Sequence, residues 1–214
     1  MNVDDITVEQ ARHPNCSPEA LAEVLRRGKD DSVSCSAAEN PSTPPEALAE
    51  VLRRGKDDGV SYYAARNPNC SPEVLAEVLR REKNDNVSCY TARNPNCSPE
   101  VLAEVLRRGK NDIVSWNAAH NPSTPPEALV EVLRREKNDN VSWSAASNPS
   151  CPPEAKEQWE IQFVPKKREE YERELEEQIK LQKQIKKHKA EQRYNKLTEQ
   201  NKHKYQNAIN VLRI

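Results

Sequence analysis

The cysteines are the first residues in this sequence that could do chemistry, because four of the six recur in one periodic pattern. Cys16, Cys70, Cys97 and Cys151 are separated by 27 residues or by twice that number. Regularly spaced thiolates suggest a metal site, but zinc needs sulfurs about 2.3 Å from a single ion. Neighbouring units of a stacked helical array lie about 8 to 10 Å apart. The spacing therefore favours small buried side chains at a turn over a metal site or a disulfide.

Other residue combinations give little indication of catalysis. His13 precedes Cys16 by three residues, which could place a base beside a thiol, but no third orienting group recurs with the pair. The four glycines form no phosphate-binding loop, and the sequence contains no paired metal carboxylates and no Ser/His/Asp signature. The sequence predicts a protein that is not an enzyme, with no catalytic residues, no metal and no cofactor.

A second set of residues has the chemistry of binding and varies within an otherwise regular pattern. Exposed Tyr, Trp and Arg side chains are enriched at binding hot spots. We expect these residues to form parallel ladders on one face and to contact a partner there. The competing interpretation is that the aromatic rings only shield small alanines between neighbouring units. The predicted partner-binding residues are Tyr62, Tyr63, Arg66, Tyr90, Arg93, Trp116, Asn117, His120 and Trp143.

A repeat of 27 residues places these side chains. Each unit ends in an Asn-Pro pair, or in His-Pro at the first position, and no insertion or deletion separates the prolines. Self-similarity at a fixed period in this range is typical of solenoids. The sequence therefore predicts an all-α fold, an α-solenoid of two-helix repeats. The prolines that mark the period are Pro14, Pro41, Pro68, Pro95, Pro122 and Pro149.

The first helix of each repeat has recognisable sequence signals. Residues 43–46, Thr-Pro-Pro-Glu, have the pattern of a capping box in which the Thr43 hydroxyl would accept from an amide of the first turn. Behind this pattern, Leu48, Val51 and Leu52 form one apolar stripe at helical spacing. The first helix is therefore predicted to be amphipathic, with the stripe facing the core.

The ends of both helices can also be predicted. Gly28, Gly55 and Gly109 suit the left-handed residue that follows a helix, whereas Glu82 and Glu136 replace glycine at the same place and predict less favourable ends. After a short polar turn, a second helix is predicted to begin two residues beyond an acidic residue. It ends at Asn-Pro, because a residue before proline is pushed out of the helical region.

The repeat pattern predicts two domains, residues 1–164 and residues 165–214. The first opens with a half repeat and closes with a capping helix in which Ala155, Trp159 and Phe163 form a stripe. The second is a long polar helix, because its residues are mostly charged and only a broken apolar seam runs through Tyr171, Leu175, Ile179 and Ile185.

The charge of the tail suggests two functions. Residues 180–204 contain nine Lys or Arg against Glu191 and Glu199. A basic helix of this kind fits nucleic acid or another acidic surface. The other interpretation is a solvated helix that associates weakly with itself, although Gln178, Gln182 and Lys189 interrupt the seam of a coiled coil.

The repeat resembles the leucine-rich repeat variant family of bacterial helical-repeat proteins. Residues 121–129, Asn-Pro-Ser-Thr-Pro-Pro-Glu-Ala-Leu, are close to the family pattern, and the similarity covers roughly residues 6–155. The resemblance implies a right-handed superhelix of alternating longer and shorter helices without strands, and leaves open whether the shorter helix is α or 3₁₀. Some members carry an iron–sulfur cluster in an amino-terminal cysteine-rich segment. This chain begins almost directly at the repeats, so we do not expect the cluster.

Composition completes the functional prediction. Residues 1–153 carry 18 Lys or Arg against 23 Asp or Glu, and the remaining residues carry 15 against 11. Six cysteines without an apolar signal segment favour the cytoplasm, and no run of residues is apolar enough to cross a membrane. We expect a bacterial scaffold that binds a protein or peptide through its variable second-helix face. The alternative is a nucleic-acid-associated adaptor that binds through the basic tail.

Overall fold

The computed structural model describes residues 5–195, and within that range the chain contains helices and no strands. The all-α prediction is confirmed. Thirteen helices are described: α1 (Val8–Arg12), α2 (Pro18–Arg26), α3 (Ser32–Glu39), α4 (Pro45–Arg53), α5 (Gly59–Arg66), α6 (Pro72–Arg80), α7 (Asn86–Arg93), α8 (Pro99–Arg107), α9 (Ile113–His120), α10 (Pro126–Leu133), α11 (Asn140–Ser147), α12 (Pro153–Phe163) and α13 (Pro165–Asn195).

The helices pack against their neighbours in sequence order, as in a helical repeat. The first helices are α2, α4, α6, α8 and α10, and each packs against the second helix that follows it. The second helices, α1, α3, α5, α7, α9 and α11, pack more closely against one another than the first helices do. Leu48 and Leu52, predicted as part of an apolar stripe, are fully buried, and so are their counterparts Leu75, Leu79, Leu102 and Leu106.

The predicted capping box at residues 43–46 is wrong. Helix α4 begins at Pro45 with Pro44 as its N-cap, which offers no side-chain cap. The Thr43 hydroxyl instead donates to the carbonyl oxygen of Ala37 in the preceding helix. Because the chain turns sharply between the two helices, the residue before the N-cap points back at α3. A capping box does occur at α1, where Thr7 and Gln10 each accept from the other's backbone amide.

The first helices end as the glycine pattern predicts. Gly28, Gly55 and Gly109 have φ of 67° to 68°, in the left-handed region that favours glycine. Glu82 and Glu136 adopt the same conformation, with φ of 55° and 52°. A side chain at such a φ costs about 1 to 2 kcal/mol, so these two helix ends are strained relative to their glycine counterparts.

Each complete second helix is an α-helix that begins immediately after an aspartate, one residue earlier than predicted. The Asp85 carboxylate, for example, accepts from the amide of Ser88 at 2.8 Å. An aspartate N-cap satisfies one of the amides that a helix leaves without a partner. The other four are Asp31, Asp58, Asp112 and Asp139.

A row of buried asparagines joins each repeat to the one before it. The Asn94 side chain donates through Nδ2 to the carbonyl oxygens of Ala65 at 2.7 Å and Asn67 at 3.1 Å, and its Oδ1 accepts from the amide of Asn96 at 2.9 Å. The same three bonds recur one repeat apart, so the asparagine that ends each second helix also fixes its distance from the preceding one. The other asparagines of this ladder are Asn40, Asn67, Asn121 and Asn148.

Arginines make a second set of connections on the side of the first helices. Arg81 donates to the carbonyl oxygen of Leu52 at 2.8 Å, and Arg108 donates to that of Leu79 at 3.0 Å. These carbonyls lie in the last turn of the preceding first helix, where oxygens lack helical partners and a cation is favoured. Arg54 makes the equivalent bond to Leu25.

The contacts divide the chain into two compact units between Trp159 and Glu160, inside α12. The unit that ends at Trp159 contains the repeats. In the other unit, α13 is a continuous helix of 31 residues. Within residues 5–195, no helix is both long enough and apolar enough to cross a bilayer.

Replacing Asn94 by alanine should lower the free energy of unfolding by roughly 3 kcal/mol, because it removes three hydrogen bonds and leaves buried backbone groups without partners. Urea unfolding followed by circular dichroism measures the change. The control is Asn111→Ala, at an exposed asparagine in a turn, which should change stability by less than about 0.5 kcal/mol. Equal effects of the two substitutions would contradict the role of the ladder.

Replacing Glu82 by glycine should stabilise the protein by about 1 kcal/mol, because it relieves the left-handed strain. The substitution also removes exposed contacts of Glu82 with Arg108 at 3.8 Å and Lys110 at 3.4 Å, which contribute little. The reciprocal change, Gly55→Glu, should destabilise by a similar amount. Thermal melting of the two variants beside the wild type tests the pair, and a change of the same sign in both would count against this explanation.

Candidate partner-binding face

The cysteines that recur at intervals of 27 residues or multiples of 27 lie in the turn before each first helix, one position before its N-cap. Cys70, Cys97 and Cys151 are buried, Cys16 is half-buried, and all are free thiols. Burial raises the pKa of Cys70 and of Cys97 to about 12, so both thiols are protonated near neutral pH. In the part of the chain that the structure describes, no group of three or more His, Cys, Asp or Glu side chains could hold a metal ion.

The predicted partner-binding residues lie on the second helices α5, α7, α9 and α11. Arg66, Arg93, His120, Trp116 and Trp143 are exposed. Tyr62, Tyr63 and Tyr90 are half-buried. We call these eight residues the variable face.

Asn117 was expected on the same face, but it lies elsewhere. Its side chain is only 3% exposed, and Nδ2 donates to the Ile113 carbonyl oxygen and to the Cys89 sulfur, each at 2.9 Å. Its column faces the cleft between neighbouring second helices, where the small Ser36 and Ser144 are buried too. Tyr63 and Tyr90 occupy the same column but are too large for the cleft. Asn117 is therefore part of the packing between α7 and α9.

The centre of the variable face is a cluster of two tyrosines and an arginine. The Tyr62 and Tyr90 rings meet edge to face with centroids 4.5 Å apart, and Tyr63 approaches Tyr62 at 4.9 Å. The Arg66 guanidinium lies 5.3 Å from the Tyr62 ring and 5.8 Å from the Tyr90 ring, and it donates to the Tyr62 hydroxyl at 3.0 Å. Cation–π contacts and this bond hold Arg66 over the aromatic rings.

An open groove of about 330 Å³ runs beside this cluster. Its walls are Tyr62, Arg66, Tyr90, Arg93, Asn94 and Pro95. The guanidinium groups of Arg66 and Arg93 come from consecutive repeats. The groove therefore combines two cations with aromatic surface, which suits a carboxylate attached to an apolar or extended segment. The sequence indicated four of these wall residues but not Asn94 and Pro95, which read as helix terminators only.

The amino-terminal end of the same row of helices is more acidic. A second groove of about 400 Å³ is lined by Asp30, Asp31 and Glu39, together with Arg12, Tyr63 and smaller residues. Bonds accepted from Ser34 and the nearby Arg27 outweigh the effect of burial, which alone would raise the pKa of Asp31, and lower that pKa below its usual value. The two grooves thus differ in charge, a contrast for which the alternation of Glu39 and Arg66 in one column was the sequence signal.

The tryptophans of the variable face have different surroundings. Trp116 stacks on His120 with the rings 5.6 Å apart and nearly parallel, and it is 36% exposed. Trp143 packs edge to face on Trp159 at 4.8 Å, and its Nε1 donates to Asn138 Oδ1 at 2.8 Å. Trp159 is only 2% exposed. Trp143 therefore shields a buried ring, whereas Trp116 offers a flat surface together with the imidazole.

Replacing Trp143 by serine should lower the free energy of unfolding by about 2 kcal/mol and shift the emission of Trp159 to longer wavelength, because it opens Trp159 to water. Trp116→Ser should cost about half as much and leave that emission unchanged. Trp143→Phe keeps an aromatic edge on Trp159 and serves as the matched control. Denaturant unfolding followed by tryptophan fluorescence measures both quantities. A larger loss from Trp116→Ser would reverse these assignments.

Comparison with known proteins adds no identification. No family model, no curated protein and no solved structure matches the chain. The resemblance to the leucine-rich repeat variant family stays a prediction from the repeat residues.

Proposed function

We propose that this protein is a non-catalytic scaffold of the leucine-rich repeat variant type that binds a protein or peptide along the variable face. In this proposal, the repeats stack as a right-handed superhelix. The second helices form its concave side, because closer packing along one row of helices curves the stack toward that row. A concave row of exposed side chains is the usual binding surface of a helical repeat protein.

The observation that carries the proposal is the groove between Tyr62, Arg66, Tyr90 and Arg93. Its side chains are of the types that dominate binding hot spots. Arg66 is held in place by the two tyrosine rings, so little side-chain entropy would be lost on binding. Arg93 is exposed one repeat further on. A partner segment with one or two carboxylates and an aromatic or aliphatic residue would complement this surface.

The frame supports the same function by its internal satisfaction. The asparagine ladder and the aspartate caps use their polar atoms within the repeats. The side chains that differ between repeats can therefore change without altering the stacking. This separation of frame and variable face is typical of repeat proteins that evolve new partners.

The other functional predictions remain alternatives. Residues 196–204 of the basic tail lie outside the described residues. In residues 180–193, lysines project on several sides of α13 rather than along one stripe. No specific observation favours the nucleic-acid adaptor over the scaffold, and it stays a prediction. The bacterial origin and cytoplasmic location also stay predictions.

Selection from a random peptide display library on the intact protein tests the proposal. Enriched peptides should contain Asp or Glu next to an apolar residue. The double variant Arg93→Ser with Trp116→Ser should bind them at least about tenfold more weakly, because it removes one cation and one aromatic contact. Isothermal titration calorimetry measures the affinities.

The control for this experiment is Arg107→Ser, which removes an exposed arginine from the first helix α8. It should leave the affinity unchanged, and circular dichroism should show native helix content in both variants. Failure to enrich any peptide, or equal loss of binding in the control, would refute binding through the variable face.

A further inference from the structure

Helix α13 carries an exposed apolar seam. Tyr171, Leu175, Gln178, Gln182 and Ile185 follow one another at alternating spacings of four and three residues, so they share one side of the helix in the heptad pattern. The three apolar members are 44% to 47% exposed. Two more apolar side chains flank the seam, Ile179 and Leu181, which are 47% and 57% exposed.

The charges of α13 are divided into two opposite blocks. Residues 169–177 contain six glutamates and one arginine, a net charge of −5. Residues 180–193 contain five lysines, one arginine and one glutamate, a net charge of +5 with His188 neutral. The blocks adjoin, and the apolar seam runs through both. A single helix cannot pair them along its length, because residues on one helix face each other only three or four positions apart.

We propose that α13 forms an antiparallel pair with α13 of a second copy of this chain. Antiparallel alignment centred near Lys180 places the acidic block of each helix along the basic block of the other. Parallel alignment places like blocks together and sets Lys189 against Lys189. Charge complementarity therefore selects both the occupant of the seam and its direction.

The antiparallel register also matches the seam residue by residue. Leu175 faces Ile185 of the second copy, and Gln178 faces Gln182 of the second copy. At the two-fold axis, Ile179 meets its own equivalent, and so does Leu181. Two glutamine layers in a seam this short make the association weak and dependent on charge, because few apolar layers are buried.

The flanking positions supply the most specific pair. Glu172 and Lys186 are both exposed and occupy equivalent flanking positions one acidic and one basic block apart. In the antiparallel pair, Glu172 of each copy faces Lys186 of the other. Within one helix the two residues are 14 positions and about 21 Å apart, so they cannot pair intramolecularly.

Sedimentation equilibrium of the full chain at submillimolar concentration measures the association. We expect a monomer–dimer equilibrium whose dissociation constant rises at least about tenfold between about 0.01 M and about 1 M salt, as the Debye length falls from about 30 Å to about 3 Å. A chain that stays monomeric at low salt, including one that binds duplex DNA through this helix instead, would overturn the proposal.

Charge exchange tests the register. Glu172→Lys and Lys186→Glu should each weaken dimerisation about tenfold, and the double variant should return to within about threefold of the wild type. Glu176→Lys, on the side of α13 away from the seam, is the matched control and should change the dissociation constant by less than about threefold. A double variant weaker than either single variant would overturn the register.

Photo-crosslinking tests the direction. A photoreactive phenylalanine derivative in place of Tyr171, in a mixture of isotopically light and heavy chains, should join to the region of Lys189 in the second copy. Parallel helices would instead give a link to the region of residue 171, about 27 Å away along the helix. That result would overturn the antiparallel arrangement even if a dimer forms.

Discussion

The repeats depend on the asparagine that ends each second helix. Because proline follows it, this residue leaves the helical region, and Asn94 has φ of −65° and ψ of 131°. The extended backbone directs its side chain to the preceding repeat, where Nδ2 reaches two carbonyl oxygens near the end of α5. Carbonyls in the last turn of a helix lack partners of their own. One side chain thus ends its own helix, satisfies the previous helix and sets the spacing between them. The first helices have no equivalent ladder, which is why they pack less closely.

This constraint separates the residues that must recur from those that can vary. Polar groups at the helix ends are consumed by the ladder, by the aspartate caps and by arginines such as Arg81. The remaining second-helix positions contact the frame mainly through carbon atoms, so their chemistry is free. Tyr90, Trp116 and Trp143 use that freedom in three ways: Tyr90 holds an arginine, Trp116 stacks on an exposed imidazole, and Trp143 covers a buried ring. Binding and shielding, competing interpretations of one set of residues, are distributed among its members.

Sequence reasoning predicted local features well and connections between repeats poorly. Glycine at position 55 requires a left-handed φ whatever surrounds it, and the stripe through Leu48 has only one side that can be buried. The ladder could not be predicted, because an asparagine before proline suffices to end a helix and nothing local shows where its amide points. The capping box failed for a related reason, since the Thr43 hydroxyl could bond either forward or backward along the chain. Asn117 was misplaced because one turn of helical spacing does not distinguish an exposed position from the cleft beside it.

The ladder also makes the two ends of the array unequal. Each asparagine needs carbonyls in the repeat before it, so the first helix has no predecessor to bind and satisfies its own amides through Thr7 and Gln10. At the other end no further repeat supplies an arginine like Arg108 to the last turn of the preceding first helix. There the Trp159 Nε1 donates to the carbonyl oxygen of Lys137 at 3.0 Å, just beyond α10. An indole that both donates this bond and fills the apolar space replaces two functions of a following repeat. The array can therefore end at α12 without another leucine-rich helix.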